Sequence, residues 1–188
     1  MRKSLLAVVV SLLAAGCATK KSTEMPTPPP NAKVATAKLE PKSGSQVTGD
    51  VQFVQGDDGK VTMTLHVKNL TQGPHALHLH EKGDCSAADG SSAGPHWNPT
   101  AQPHGKMEDH MPHHSGDIGN IDVAMDGTGT STLTTDEWSI GTGQPNDIIG
   151  RGVIVHSNAD DFTSQPAGNA GSRVACGVVT AGTGAAAQ

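Results

Sequence analysis

Eight of the ten histidines fall between residues 75 and 120: His75, His78, His80, His96, His104, His110, His113 and His114. His66 lies just upstream and His156 far downstream. Imidazole suits zinc and copper, and Asp117, three residues after His114, adds a hard oxygen donor. A solvated histidine tract would not need such spacing. His78 and His80 flank Leu79, and residues i and i+2 of a strand share a face, so both rings can reach one ion. The other candidates lie among Gly, Pro, Ser and Asn, the composition of a long ordered loop folded back over that strand.

Such donors need a frame, and the hydrophobic pattern supplies one. Residues 34–40 and 46–55 read as strands, the second with Val47, Val51 and Phe53 on one face. Gly56-Asp57-Asp58-Gly59 is a hairpin turn. Residues 60–69 then alternate, with Val61, Met63, Leu65 and Val67 on one face and Thr62, Thr64, His66 and Lys68 on the other, which places His66 toward solvent. A turn at 71–74 leads into a strand at 76–81. After a loop at 82–118 come strands at 120–125, 130–135 and 151–156, a second loop at 157–172 and a last strand at 173–180. Ala181 onward reads as frayed. With 23 glycines, two Trp, two Phe and no Tyr, the core rests on Val, Ile, Leu, Met and Ala. The expectation is an all-β domain over 34–183, an eight-stranded antiparallel sandwich or flattened barrel with two long functional loops and a tail at 184–188.

The first seventeen residues read differently. Arg2 and Lys3 precede an apolar run, Leu5 to Ala15, too short for a stable bilayer span. It ends in Leu13-Ala14-Ala15-Gly16-Cys17, which resembles a bacterial lipoprotein signal with Cys17 as the lipidated residue. Residues 18–33, with Pro26, Pro28, Pro29 and Pro30, form an extended spacer. The expectation is export to the bacterial cell envelope, with the domain held in the periplasm by a lipid. The formal charge of −5 and the lack of a basic block argue against nucleic acid as a partner. In an oxidising compartment Cys85 and Cys176 form an even pair. Closing that loop would stabilise the fold by about 4 to 5 kcal/mol on a chain-entropy model.

Four segments together resemble the copper–zinc superoxide dismutase family: His78-Leu79-His80, Gly94-Pro95-His96-Trp97-Asn98-Pro99, Gly116-Asp117-Ile118-Gly119-Asn120, and Gly168 to Gly177 in the order GNAGSRVACG. The likeness covers nearly all of residues 34–183 and implies a Greek-key barrel with copper and zinc as cofactors. It implies that His78, His80 and His156 are copper ligands, that His96 bridges copper and zinc, and that His104, His114 and Asp117 complete the zinc site. His110, His113 and His114 compete for one position, and the family's distance to Asp117 selects His114. Asp160 resembles a carboxylate joining His78 to His104, His75 a structural imidazole, and Arg173 the guanidinium beside the copper channel.

The implied reaction turns superoxide into oxygen and hydrogen peroxide by alternating one-electron copper chemistry, with His96 carrying a proton. The protein would supply position and electrostatics. The loop at 157–172 has no lysine or glutamate, so guidance of the anion falls to copper and Arg173, with Lys82 and Lys106 as further candidates. A metal buffer or delivery module of the same fold is the competing class, but it could dispense with Arg173 or a copper ligand. A blue-copper carrier would need a free thiolate. Relatives of this kind occur as monomers and as homodimers.

Overall fold

The computed structural model describes residues 24–107 and 111–182. The signal-like segment with Cys17, the start of the spacer, His110 and the tail at 184–188 lie outside the described residues. Nine strands run β1 (Lys33–Pro41), β2 (Thr48–Gln55), β3 (Val61–Lys68), β4 (Gly73–His80), β5 (Asp117–Val123), β6 (Gly129–Thr135), β7 (Gly152–His156), β8 (Arg173–Val178) and β9 (Thr180–Gly182). Their order is β2-β3-β6-β5-β4-β7-β8-β1-β9, and a further β1–β2 pairing closes eight of them into an antiparallel barrel. The run β3-β6-β5-β4 is a Greek key, because β6 returns beside β3 after the β4–β5 excursion.

The alternation in β3 does what its pattern requires. Val61, Met63, Leu65 and Val67 are buried inside the barrel, while His66 lies on the outer face opposite Asp50 and Thr130. Phe53 and Trp138 meet edge to face, with centroids 5.9 Å apart. Each such aliphatic or aromatic side chain taken out of water contributes about 1.5 to 3 kcal/mol before conformational entropy is set against it.

In β4 both faces are covered. Leu77 and Leu79 point into the barrel core, whereas His78 and His80 point outward beneath the two long loops and are equally buried. β7 is buried along its whole length for the same reason. Two register shifts lie beside these histidines: one between Leu77 and His78 sets His78 opposite Asp117, and one between Val155 and His156 sets His156 opposite Arg173. A bulge re-aims the side chains that follow it, and here it does so at both ends of the histidine face.

Several strand ends differ from the sequence pattern. β4 begins at Gly73, within the expected turn, because Pro74 is tolerated near the start of a strand. β5 begins at Asp117, inside the expected loop, since backbone pairing with β4 does not need an alternating side-chain pattern. The expected strand at 173–180 breaks at Val179, whose N–H donates to the Arg151 carbonyl. Ala181 and Gly182, read as frayed, belong to β9 and pair with Ala35 and Val34.

Cys85 and Cys176 form a disulfide with a Cα–Cα distance of 5.8 Å, closing 91 residues. It ties the loop after β4 to β8. The same loop carries a 3-10 turn, Ser91–Ala93, between Gly90 and Gly94, both in positive φ.

Candidate metal centre

The loop after β4 is laid along that strand by backbone bonds. Trp97 donates to the Leu79 carbonyl and Gly116 to the Trp97 carbonyl, each at 2.9 Å, and Leu79 donates to Gly116 at 2.9 Å. A Cβ on Gly116 would stand 2.2 Å from the Leu79 oxygen, so this close lamination requires glycine. The lamination puts His96 across from His80.

Two groups of donors result. His78, His80, His96 and His156 each offer one ligand atom within 4.8 Å of the others, and so do His96, His104, His114 and Asp117. All seven residues are buried. His96 belongs to both groups. Its Nδ1 lies 2.8 Å from Asp117 Oδ1 and 3.4 Å from His114 Nδ1, while its Nε2 is buried without a hydrogen-bond partner.

The other rings are held by their outer nitrogens. His78 Nε2 donates to Asp160 Oδ2 at 2.7 Å, His80 Nδ1 to the Gly94 carbonyl at 2.8 Å, and His156 Nδ1 to the Gly171 carbonyl at 3.4 Å. His104 Nε2 donates to Asp160 Oδ1 at 2.9 Å. A ring that donates from one nitrogen keeps a lone pair on the other. Those inner atoms, His78 Nδ1, His80 Nε2, His156 Nε2 and His104 Nδ1, are buried with no hydrogen bond. His104 Nδ1 does stand 3.0 Å from Asp117 Oδ2, but out of line for a bond. Each unsatisfied buried donor or acceptor costs about 1 to 3 kcal/mol. Five in one place, counting His96 Nε2, fit a pair of metal ions. A four-imidazole set suits copper, and three imidazoles with one carboxylate suit tetrahedral zinc.

Protonation follows position. Burial pushes His80 and His156 well below 6.5, reinforced by neighbouring imidazoles and Arg173. Burial is also the main cause that takes His96 down to about 4, against the pull of Asp117. These rings are neutral and able to bind metal at neutral pH. Burial would lower His104 as well, but the carboxylates of Asp117 and Asp160 outweigh it and raise the ring to about 9, so a metal must displace a proton to gain its Nδ1 lone pair at neutral pH. Burial opposes ionisation of Asp117, yet His104, His114, His96 and the Gly105 N–H together hold it far below the usual carboxylate range.

Residues 47–179 match the family model described as copper/zinc superoxide dismutase. The chain belongs to the copper/zinc superoxide dismutase family. It is 43% identical over 144 residues to superoxide dismutase [Cu-Zn] 2 of Brassica juncea, an alignment covering 73% of this chain and 91% of that protein. It is also similar to a crystal structure described as the clock protein EA4, at 34% identity and a TM-score of 0.70, covering 85% of this chain and 99% of that one. Copper and zinc are the metals of this family, and the two donor groups suit them.

The remaining candidates fall into place around the centre. Arg173 donates to the carbonyls of Gly90 and Gly94, each at 2.7 Å. It lines a cavity of about 840 Å³ with His80, His96 and His156, and among the described residues it is the non-histidine cation there. Lys82 and Lys106 do not line this cavity; Lys106 lies over the Phe162 ring, 5.7 Å from its centroid. His75 donates from Nδ1 to the His156 carbonyl at 2.9 Å, and its Nε2 lies 3.0 Å from the Thr71 hydroxyl. His113 is turned away, with Nε2 2.8 Å from Glu137 Oε1.

Sequence reasoning missed Glu137, Trp138 and Gln165. Trp138 donates from its indole to the Ser115 carbonyl at 2.8 Å, so residues 137 and 138 hold both neighbours of His114. Nothing in the local pattern marks an acid and an indole after β6 as partners of a loop more than twenty residues earlier.

In metal-free protein, the His104 ring is expected to titrate near pH 9. Its folded value exceeds the 6.5 of an unfolded ring, so its contribution to stability is fully present below about pH 6.5 and fades as pH rises through about 9. Imidazole nitrogen shifts measured by NMR check this. A midpoint at or below 6.5 would mean that the two carboxylates do not govern this ring.

Proposed function

We propose that this protein disproportionates superoxide to oxygen and hydrogen peroxide. The observation that carries the reading is His96, one ring with a nitrogen in each donor group, beside a cavity whose wall includes Arg173. In this reading His78, His80, His96 and His156 hold copper, and His96, His104, His114 and Asp117 hold zinc. Copper, when bound, supplies one-electron redox chemistry, taking an electron from one superoxide and returning it to the next.

The chain's own residues do the rest. Arg173 keeps its charge at any working pH, and with two N–H groups on backbone carbonyls its remaining donors can dock an anion. The fixed guanidinium concentrates field in a cavity on a protein whose net charge repels superoxide. His96 Nε2, when not engaged as a ligand, would take up a proton between the two half-reactions and release it to the second superoxide. That proton and one from water give hydrogen peroxide, so two superoxides and two protons are consumed per turnover. Asp160 orients His78 and His104 and makes both rings better donors.

Export and lipid attachment at Cys17 are part of the same proposal. They are supported by the basic, apolar and small-residue pattern of residues 1–17.

Arg173→Ala is expected to retain both metals and to consume superoxide about 10- to 1000-fold more slowly, as when a charge that focuses an anion into a cleft is removed. Stopped-flow decay of superoxide, normalised to measured copper, checks this; undiminished turnover would show that another group docks the anion. Asp160→Asn leaves one ring N–H facing an NH2 donor. It is expected to weaken zinc by about 10- to 100-fold while copper stays bound. Competition with a calibrated chelator measures that, and zinc affinity within about threefold of the parent would remove the bridging role from Asp160.

A further inference from the structure

Gln165 is a solvent-exposed residue of the loop at 157–172, and it lines the same cavity as His80, His96 and Arg173. Its carboxamide turns inward and clasps the backbone of His104 on both sides. Oε1 accepts from the His104 N–H at 2.9 Å, and Nε2 donates to the His104 carbonyl at 2.9 Å. A primary amide carries a donor and an acceptor side by side, so it pairs with one residue's N–H and C=O as a neighbouring strand would. His104 has no such neighbour, because residues 101–106 belong to no strand.

The same loop also holds the ring of His104, through Asp160. Gly168 closes behind this contact: a Cβ there would stand 1.8 Å from Asp160 Oδ1 and 2.7 Å from His104 Nε2. Asp160 sets where the ring points, but it does not set where the peptide carrying the ring sits. Gln165 holds both backbone groups of His104 itself, while Asp117 Oδ2 accepts from the next N–H, that of Gly105, at 3.0 Å; in doing so Gln165 joins the cavity wall to a residue of the second donor group.

We infer that Gln165 is a positioning residue for the second donor group, and that it latches the wall of the substrate cavity to the occupancy of that group. The inference rests on the zinc assignment above. The coupling is reciprocal: if Gln165 holds His104 ready for an ion, an ion on His104 holds Gln165 and the loop around it. Loss of the ion therefore loosens the wall that carries Gln165, Ala167 and Asn169.

The test compares Gln165→Ala and Gln165→Glu in the full-length protein, with Zn2+ itself as the probe. Alanine removes both bonds. Glutamate keeps the acceptor for the His104 N–H but turns a second oxygen toward the His104 carbonyl, so its loss is of the same kind. Because the side chain is at the surface, both variants are expected to keep the parent's far-ultraviolet dichroism. Chelator competition is expected to show zinc bound about tenfold more weakly in both, with copper affinity within about twofold of the parent. Amide exchange across residues 161–171 is expected to slow on zinc binding in the parent, and much less in the variants. Asp117→Ala is run beside them. Zinc affinity within about threefold of the parent in both Gln165 variants, with zinc binding abolished in Asp117→Ala, would overturn the latch and leave the zinc reading standing. Zinc binding that survives Asp117→Ala would overturn the zinc reading itself.

Discussion

Among the described residues, five imidazole nitrogens are buried together in the two donor groups without a hydrogen-bond partner, His78 Nδ1, His80 Nε2, His96 Nε2, His104 Nδ1 and His156 Nε2, and the rest of the molecule is arranged to keep them so. Left to itself a protein would solvate such atoms or close over them. It does neither, because each ring but one is pinned from behind. Asp160 holds two of the rings, and the carbonyls of Gly94 and Gly171 hold two more. His96 is the exception. It has no outer bond because both its nitrogens face donor groups, which is what a shared ligand requires.

The barrel makes that arrangement rigid. β4 and β7 are paired on both edges and filled on the inner face by Leu77, Leu79, Val153 and Val155, so the outward histidines stand on a surface that cannot shift. The loops, by contrast, carry no core of their own. They are fastened by backbone lamination at Leu79 and Trp97, by the Cys85–Cys176 disulfide and by side chains that reach between them. The disulfide also connects two parts of the cavity wall, since Cys176 follows Arg173 on β8 and the Cys85 loop supplies both carbonyls that hold the guanidinium.

Much of this was legible in the chain. The i, i+2 spacing of His78 and His80 placed both rings on one face, and the strict alternation of residues 60–69 placed His66 on the other side of the barrel wall from Met63 and Leu65. The even pair of cysteines, Cys85 and Cys176, pointed to the bond that the structure contains. Three kinds of feature stayed hidden for physical reasons. The bulges at Leu77/His78 and Val155/His156 are backbone register shifts that leave no mark in side-chain alternation. β9 pairs through main-chain atoms of small residues that carry no strand signal. Gln165, Glu137 and Trp138 act across long separations, and none is of a type that announces metal chemistry. Among His110, His113 and His114 the resemblance selected His114 by its distance from Asp117; in the structure His114 faces Asp117 and His113 is tied to Glu137.

The central claim is that one ring, His96, is shared by a copper site and a zinc site. Anomalous diffraction from crystals of the metal-loaded protein, recorded across the copper and zinc absorption edges, tests it most directly. Two peaks are predicted, one on each side of the His96 ring. The copper-edge signal should fall among His78, His80 and His156, and the zinc-edge signal among His104, His114 and Asp117. A single peak with both metals competing for it, or a zinc peak away from His96, would contradict the account.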